Sequence, residues 1–236
     1  MQLVAVPIAA ALTFLALLLL VRQYFRQPTF WILVALGYIA AYIAQWTGRT
    51  VWDPLTFDLG IPQAGAGIVV NMLGRAFLAE AFKFAPVLVI GMMTEMSSRD
   101  WFAYGAAAGA GFGFFVSQQL IAFSLEVYRL SLSTPALTLL TVLLKFFPIL
   151  AQTATTAFVA WAMPRGWLFR ALLLATAAQT VLGLVERGQA ALGTALGNLL
   201  FALIALFLFL YVWTLRDRVA VPWRQPAGEA GGARRG

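Results

Sequence analysis

The chain has 236 residues, of which 62% are hydrophobic and 11% charged, and its mean hydropathy is +0.86. Soluble domains carry roughly 25% charged residues, so this composition belongs to an all-α polytopic membrane protein. Cysteine and histidine are both absent, which excludes disulfides, thiolate or imidazole metal sites, a Ser-His dyad, an HExxH zincin and a catalytic cysteine.

A bilayer core needs about 20 apolar residues per helix, and seven stretches qualify: 3–21, 29–46, 68–93, 102–123, 136–162, 167–185 and 190–214. The first, LVAVPIAAALTFLALLLLV, has no charged segment before it and no small-residue cleavage site after it, so a retained helix is expected. The net charge of +7 comes mostly from arginines at helix ends and in the tail. That distribution suits topology and anionic-lipid contact rather than nucleic-acid binding. Arg22, Arg26, Arg99, Arg165, Arg170 and the tail arginines fall on one side, which predicts an external N-terminus and a cytoplasmic C-terminus. The loop 47–67 is expected to lie along the interface through Trp52 and Phe57. Residues 1–215 thus form a transmembrane helical domain. The segment 216–236, rich in Gly, Ala and Arg, is expected to be a disordered cytoplasmic tail.

Four charges fall inside predicted spans: Arg75, Glu80, Lys83 and Lys145. A charge at the bilayer centre costs about 2.5–3.5 kcal/mol on insertion scales, so such residues usually face the bundle interior. At about 100° per residue, Arg75, Glu80 and Lys83 share one sector of about 140° on the third span, with Asn71 close by. Glu80 and Lys83, three apart, can pair directly. The three cations exceed the one anion by two, a surplus that asks for an anionic ligand, an acidic partner or water. On the fifth span, Lys145, Gln152 and Thr156 form a polar stripe; on the sixth, Gln179 and Glu186 share a face. Gly105, Gly109, Gly113 and Ser117 recur every four residues on the fourth span, as do Gly193 and Gly197 on the seventh. Such small-residue stripes let helices approach closely.

The order of these features resembles the PrsW-type intramembrane metalloproteases, which belong to a wider clan of glutamate-dependent membrane peptidases that includes the CAAX-processing enzymes. LAEAFKF (78–84) is similar to that family's E-E-x-x-K motif, with Glu80 as the second Glu and Lys83 as the Lys. RDWFAYGAAAGAGFGFFVSQQ (99–119) resembles its D-x-x-x-Y-G-A-A-x-G-x-G-F motif through Asp100, Tyr104, Gly105, Gly109, Gly111 and Phe112. FFPILAQTATTAFVAWAM and LATAAQTVLGL resemble the two following spans, and the likeness covers about 68–190. The departures all fall on the chemistry. Ala79 stands where the family has its first Glu, Gln118 where it has the motif-two Glu, and Gln152 and Gln179 where it has histidines. The resemblance therefore implies the scaffold of an intramembrane peptidase without its metal ligands or its general base, since an amide is a poor zinc ligand and no base.

No other catalytic pattern replaces it. Asp53, Asp58, Asp100 and Asp217 lie at or beyond span ends, so no intramembrane aspartyl dyad is expected, and no P-loop or acidic diphosphate-binding cluster is present. The expected protein is non-catalytic and without cofactor. It binds other integral membrane proteins and anionic lipids, with a homo-oligomer left open, in a prokaryotic cytoplasmic membrane. Two alternatives stand beside it: an anionic ligand or lipid headgroup held by Arg75, Lys83 and Lys145 with Glu80, Gln118 and Gln152 nearby, and a peptidase resting on Glu80 alone.

Overall fold

A computed structural model describes residues 2–62, 65–127, 144–192 and 194–218. The helices are α1 (Gln2–Val21), α2 (Pro28–Thr47), α3 (Asp53–Asp58), α4 (Ala66–Met93), α5 (Ser98–Val127), α6 (Phe146–Ala162), α7 (Leu168–Leu192) and α8 (Thr194–Arg218), with no strand among the described residues. Seven helical stretches are long and apolar enough to cross a membrane, one of them running from α2 through α3. The chain is an integral membrane protein built as a helical bundle. In hydrocarbon only a helix satisfies its own backbone groups, so apolar length and helicity arrive together.

The centre of the bundle is α5 and α6, which are mostly buried, whereas the other spans expose most of their surface. The reason is side-chain size. Lipid tails are as apolar as leucine, so spans associate through close packing rather than through the hydrophobic effect. Helix α5 is built for that: Ala103, Ala106, Ala107, Ala108 and Ala110 are fully buried. Its Gly105, Gly109 and Gly113 lie against α6, where an added Cβ would come within 2.4 Å of Ala160 Cβ, 2.5 Å of the Gln152 carbonyl oxygen and 2.8 Å of Ile149 Cα. Ser117 completes the row, donating its hydroxyl to the Lys145 carbonyl oxygen at 2.8 Å. On another face of α5, Gly111 meets the backbone of Val34, and Gly37 of α2 meets that of Ala108. Gly197 is buried in α8, and Gly193 lies outside the described residues.

Ser117→Ala tests the row at its end. It removes one buried hydrogen bond without adding volume, so a loss of about 1 kcal/mol is expected, read as a small fall in the thermal midpoint of the purified protein.

Helix ends follow local chemistry. Pro28 opens α2 at a position where its missing N–H is no loss. Ser97 and Asp100 form a capping box at the start of α5: the Asp100 N–H donates to Ser97 Oγ at 3.2 Å and the Ser97 N–H to Asp100 Oδ2 at 2.9 Å. Tyr104, one turn further, donates its hydroxyl to Gln27 Oε1 at 3.0 Å and so ties down the α1–α2 connection.

The structure departs from the sequence expectations in three places. The segment 47–58 is no interfacial loop, because α2 continues through a π-helical turn, Gly48–Trp52, into α3. The wider turn carries Trp52 onto α4. Its indole N–H donates to the Asn71 carbonyl oxygen at 3.2 Å, and its ring fills the notch left by Gly74. Phe57 remains exposed. Second, Glu186 and Arg187 do not form a connection, since α7 runs on to Leu192. Third, α6 begins at Phe146, so Lys145 is its N-cap rather than a residue within a helix; residues 136–143, where the fifth span was expected to begin, lie outside the described residues.

Candidate functional site

Glu80 stands at the middle of α4, and Lys83 one turn on; both side chains are fully buried. They form an ion pair through Glu80 Oε1. Helix α6 faces them with Gln152 and Thr155. The Lys83 ammonium donates to Gln152 Oε1 at 2.6 Å and to Thr155 Oγ1 at 3.3 Å. From α7, Gln179 closes the set. Its Nε2 donates to Gln152 Oε1 at 3.2 Å and to Thr155 Oγ1 at 3.1 Å, while its Oε1 accepts from Gln152 Nε2 at 3.1 Å. Helix α5 contributes the ring of Phe112, whose centroid lies 5.1 Å from the ammonium, within the range of a cation–π attraction.

Each contact has a local cause. The i, i+3 spacing on α4 stacks the two charged side chains on one face. The glycine row on α5 brings α6 close enough for Gln152 to reach α4. Gly183, whose nearest neighbour is the end of Met72, lets α7 lie against α4. The outcome is an ammonium enclosed by a carboxylate, an amide oxygen and a hydroxyl, with an aromatic ring beside it. One atom stays outside this arrangement: Glu80 Oε2 is buried and has no hydrogen-bond partner among the described residues.

Four of the positions that the family resemblance singles out therefore join one network: Glu80 and Gln152 meet Lys83, and Gln179 meets Gln152. Gln118 accepts from the Tyr38 hydroxyl at 3.0 Å and is tied to α2. Ala79 packs against the cluster formed by Ala40, Ala41 and Ala44 of α2 with Phe112 and Phe115 of α5. Thr155 and Tyr38 had no signal of their own in the sequence, and Phe112 entered only as a matched position of the second family motif. Thr155 stands next to Thr156, which instead donates back to the Gln152 carbonyl oxygen at 3.0 Å.

The remaining cations are placed differently from the expectation. Arg75 does not join Glu80 and Lys83; it is exposed and forms a two-pronged ion pair with Asp53 of α3. Lys145, at the start of α6, feels the attraction of the Glu186 carboxylate from α7. Asp53 had been read as lying beyond a span end, and Glu186 as sharing a face with Gln179 at the end of the sixth span. Asp53 pairs with Arg75 and Glu80 with Lys83, so among the described residues two of the three cations carry an acid of their own.

A divalent metal does not fit this donor set. The Lys83 ammonium already occupies the point on which the oxygens converge and would repel a second cation. Among the described residues no three His, Cys, Asp or Glu side chains come together.

A groove of about 290 Å³ adjoins the cluster, bounded by Ala41, Ala44, Gln45 and Gly48 of α2, Arg75 and Ala79 of α4, and Phe112, Phe115, Val116, Gln119 and Leu120 of α5. Phe112 is common to both, and Ala79 leaves the wall smooth where the resembling family carries a carboxylate. Comparison with protein families, with curated proteins and with solved structures finds no match.

Proposed function

We propose that this integral membrane protein is a non-catalytic member of the PrsW-like type, resident in a prokaryotic cytoplasmic membrane, that binds a transmembrane segment of another membrane protein along the groove between α2, α4 and α5. The observation that carries the non-catalytic part is the amide pair Gln152 and Gln179, hydrogen-bonded to each other at the positions where the resembling enzymes have histidines. Two amides in those positions hold α6 and α7 together and are poor metal ligands, so no electrophile is supplied to polarise a peptide carbonyl.

The groove supports the partner. Ala41, Ala44 and Gly48 form a small-residue row on α2, the kind of surface against which another span packs closely. Gln45 and Gln119 lie along the same groove and offer hydrogen bonds to a polar residue of the incoming helix. The π-helical turn at Gly48 sits at its edge, and single π-turns recur at functional sites. An anionic ligand at Arg75, Lys83 and Lys145 has less behind it, because Asp53 and Glu80 already hold the first two.

Gly48→Leu tests the reading. A Cβ at Gly48 meets nothing within 4 Å, and its backbone is in the ordinary right-handed helical region, so the side chain enters the groove without disturbing the interior. Co-purification from the native membrane in mild detergent is expected to recover a stoichiometric membrane protein with the parent chain. Gly48→Leu is expected to lower that recovery roughly tenfold, equivalent to about 1.4 kcal/mol, with the thermal midpoint kept. Equal recovery by both chains, or a parent chain that emerges alone, would refute the groove as a partner site.

A further inference from the structure

A second cavity, of about 580 Å³, lies at the end of the bundle where α1 and α8 finish and α5 begins. Arg22, Arg99 and Arg216 line it, and none of its described lining residues is acidic. Asp100, beside Arg99, is engaged by the Ser97 N–H and hydroxyl. Arg216 is held in place: its guanidinium lies 4.5 Å over the Trp213 ring and donates to the Leu19 carbonyl oxygen at 3.4 Å. The three arginines give the cavity a positive lining, and their planar guanidinium forks match phosphate oxygens.

The other wall is apolar. Leu18 and Leu19 of α1 border the cavity and are exposed on the surface that faces lipid. Trp213 stands where an aromatic belt meets the headgroups. The three arginines come from the first connection, the first turn of α5 and the C-terminal end of α8, the side that the positive-inside reading assigns to the cytoplasm, where anionic lipids concentrate. We propose that this cavity binds the phosphate of an anionic phospholipid, with an acyl chain lying along the Leu18 and Leu19 face of α1. A soluble phosphate would use the same guanidinium groups but would leave that apolar wall without a role.

The test is native mass spectrometry of the full chain, delipidated in detergent and titrated separately with phosphatidylglycerol, phosphatidylcholine and inorganic phosphate. Phosphatidylglycerol is expected to stay bound in preference to phosphatidylcholine. The triple variant Arg22→Gln, Arg99→Gln, Arg216→Gln is expected to lose that retention roughly tenfold or more, while Arg49→Gln, which lies outside the cavity, keeps it. Should the triple variant not fold, Arg99→Gln alone, at an exposed position in the first turn of α5, is expected to show a drop of roughly threefold. Equal retention of the two lipids, or retention indifferent to these arginines, overturns the proposal. Inorganic phosphate that binds as tightly as phosphatidylglycerol and displaces it reassigns the cavity to a soluble anion and overturns the lipid.

Discussion

Lys83→Met is expected to destabilise the bundle by about 3–5 kcal/mol, the range for removing one partner of a buried ion pair. The substitution nearly preserves volume, so the loss is electrostatic rather than a cavity effect. It leaves the Glu80 carboxylate fully buried at the middle of α4, with Oε1 stripped of its partner and Oε2 already without one among the described residues. Gln152 and Thr155 also lose the ammonium that holds α4 against α6. The thermal midpoint in detergent, followed by tryptophan fluorescence or circular dichroism, reads the effect. The paired variant Glu80→Leu with Lys83→Met separates the causes, because two apolar residues in place of a buried ion pair are often close to neutral. Recovery of most of the midpoint by the double variant identifies the stranded carboxylate as the source of the loss. A Lys83→Met protein as stable as its parent would mean that the pair holds nothing together.

Gly109→Leu is the second large effect, expected at about 3 kcal/mol or more as overpacking against an unyielding neighbour. A Cβ there would lie 2.5 Å from the Gln152 carbonyl oxygen and 2.9 Å from Thr153 Cα, both backbone atoms of α6. Neither can move without parting α5 from α6, the two most buried spans. The parting also carries the Gln152 side chain away from Lys83, so packing and site fail together. Gly183→Ala is the control: its Cβ meets only the terminal methyl of Met72, at 2.5 Å, which a rotamer change can move aside. A loss below about 1 kcal/mol is expected there. If Gly109→Leu and Gly183→Ala fell by the same amount, the α5–α6 contact would not be the core of the bundle. Combining Gly109→Leu with Lys83→Met should cost less than the two separate losses added, as expected for sites that share a partner.

Much of the architecture was legible in the residues. Seven apolar stretches of bilayer length became seven candidate spans, because hydrocarbon forces the backbone to bond locally and hydropathy is a local property. The row Gly105, Gly109, Gly113 and Ser117 was visible as a period of four, and the pairing of Glu80 with Lys83 as a spacing of three, since a helix converts spacing into direction. Boundaries were less legible. The apolar pattern stops near 46, but a π-helical turn carries the helix on to Asp58, and no hydropathy signal separates a helical continuation rich in Asp, Pro and Trp from a loop.

What the amino-acid sequence determined by itself is the membrane class, the number of spans, the helix faces that carry polarity and the chemistry that is ruled out; each depends on composition or on neighbours within one helix. Tertiary structure alone decided which of those faces meet. Glu80 and Lys83 meet Gln152 and Gln179 across three helices, whereas Arg75, on nearly the same face of α4, turns to Asp53. Arg22, Arg99 and Arg216, far apart in the chain, line one cavity. The reason is that a buried charge takes whichever opposite charge the packing brings within a few ångströms, and packing joins residues whose separation along the chain says nothing of their distance.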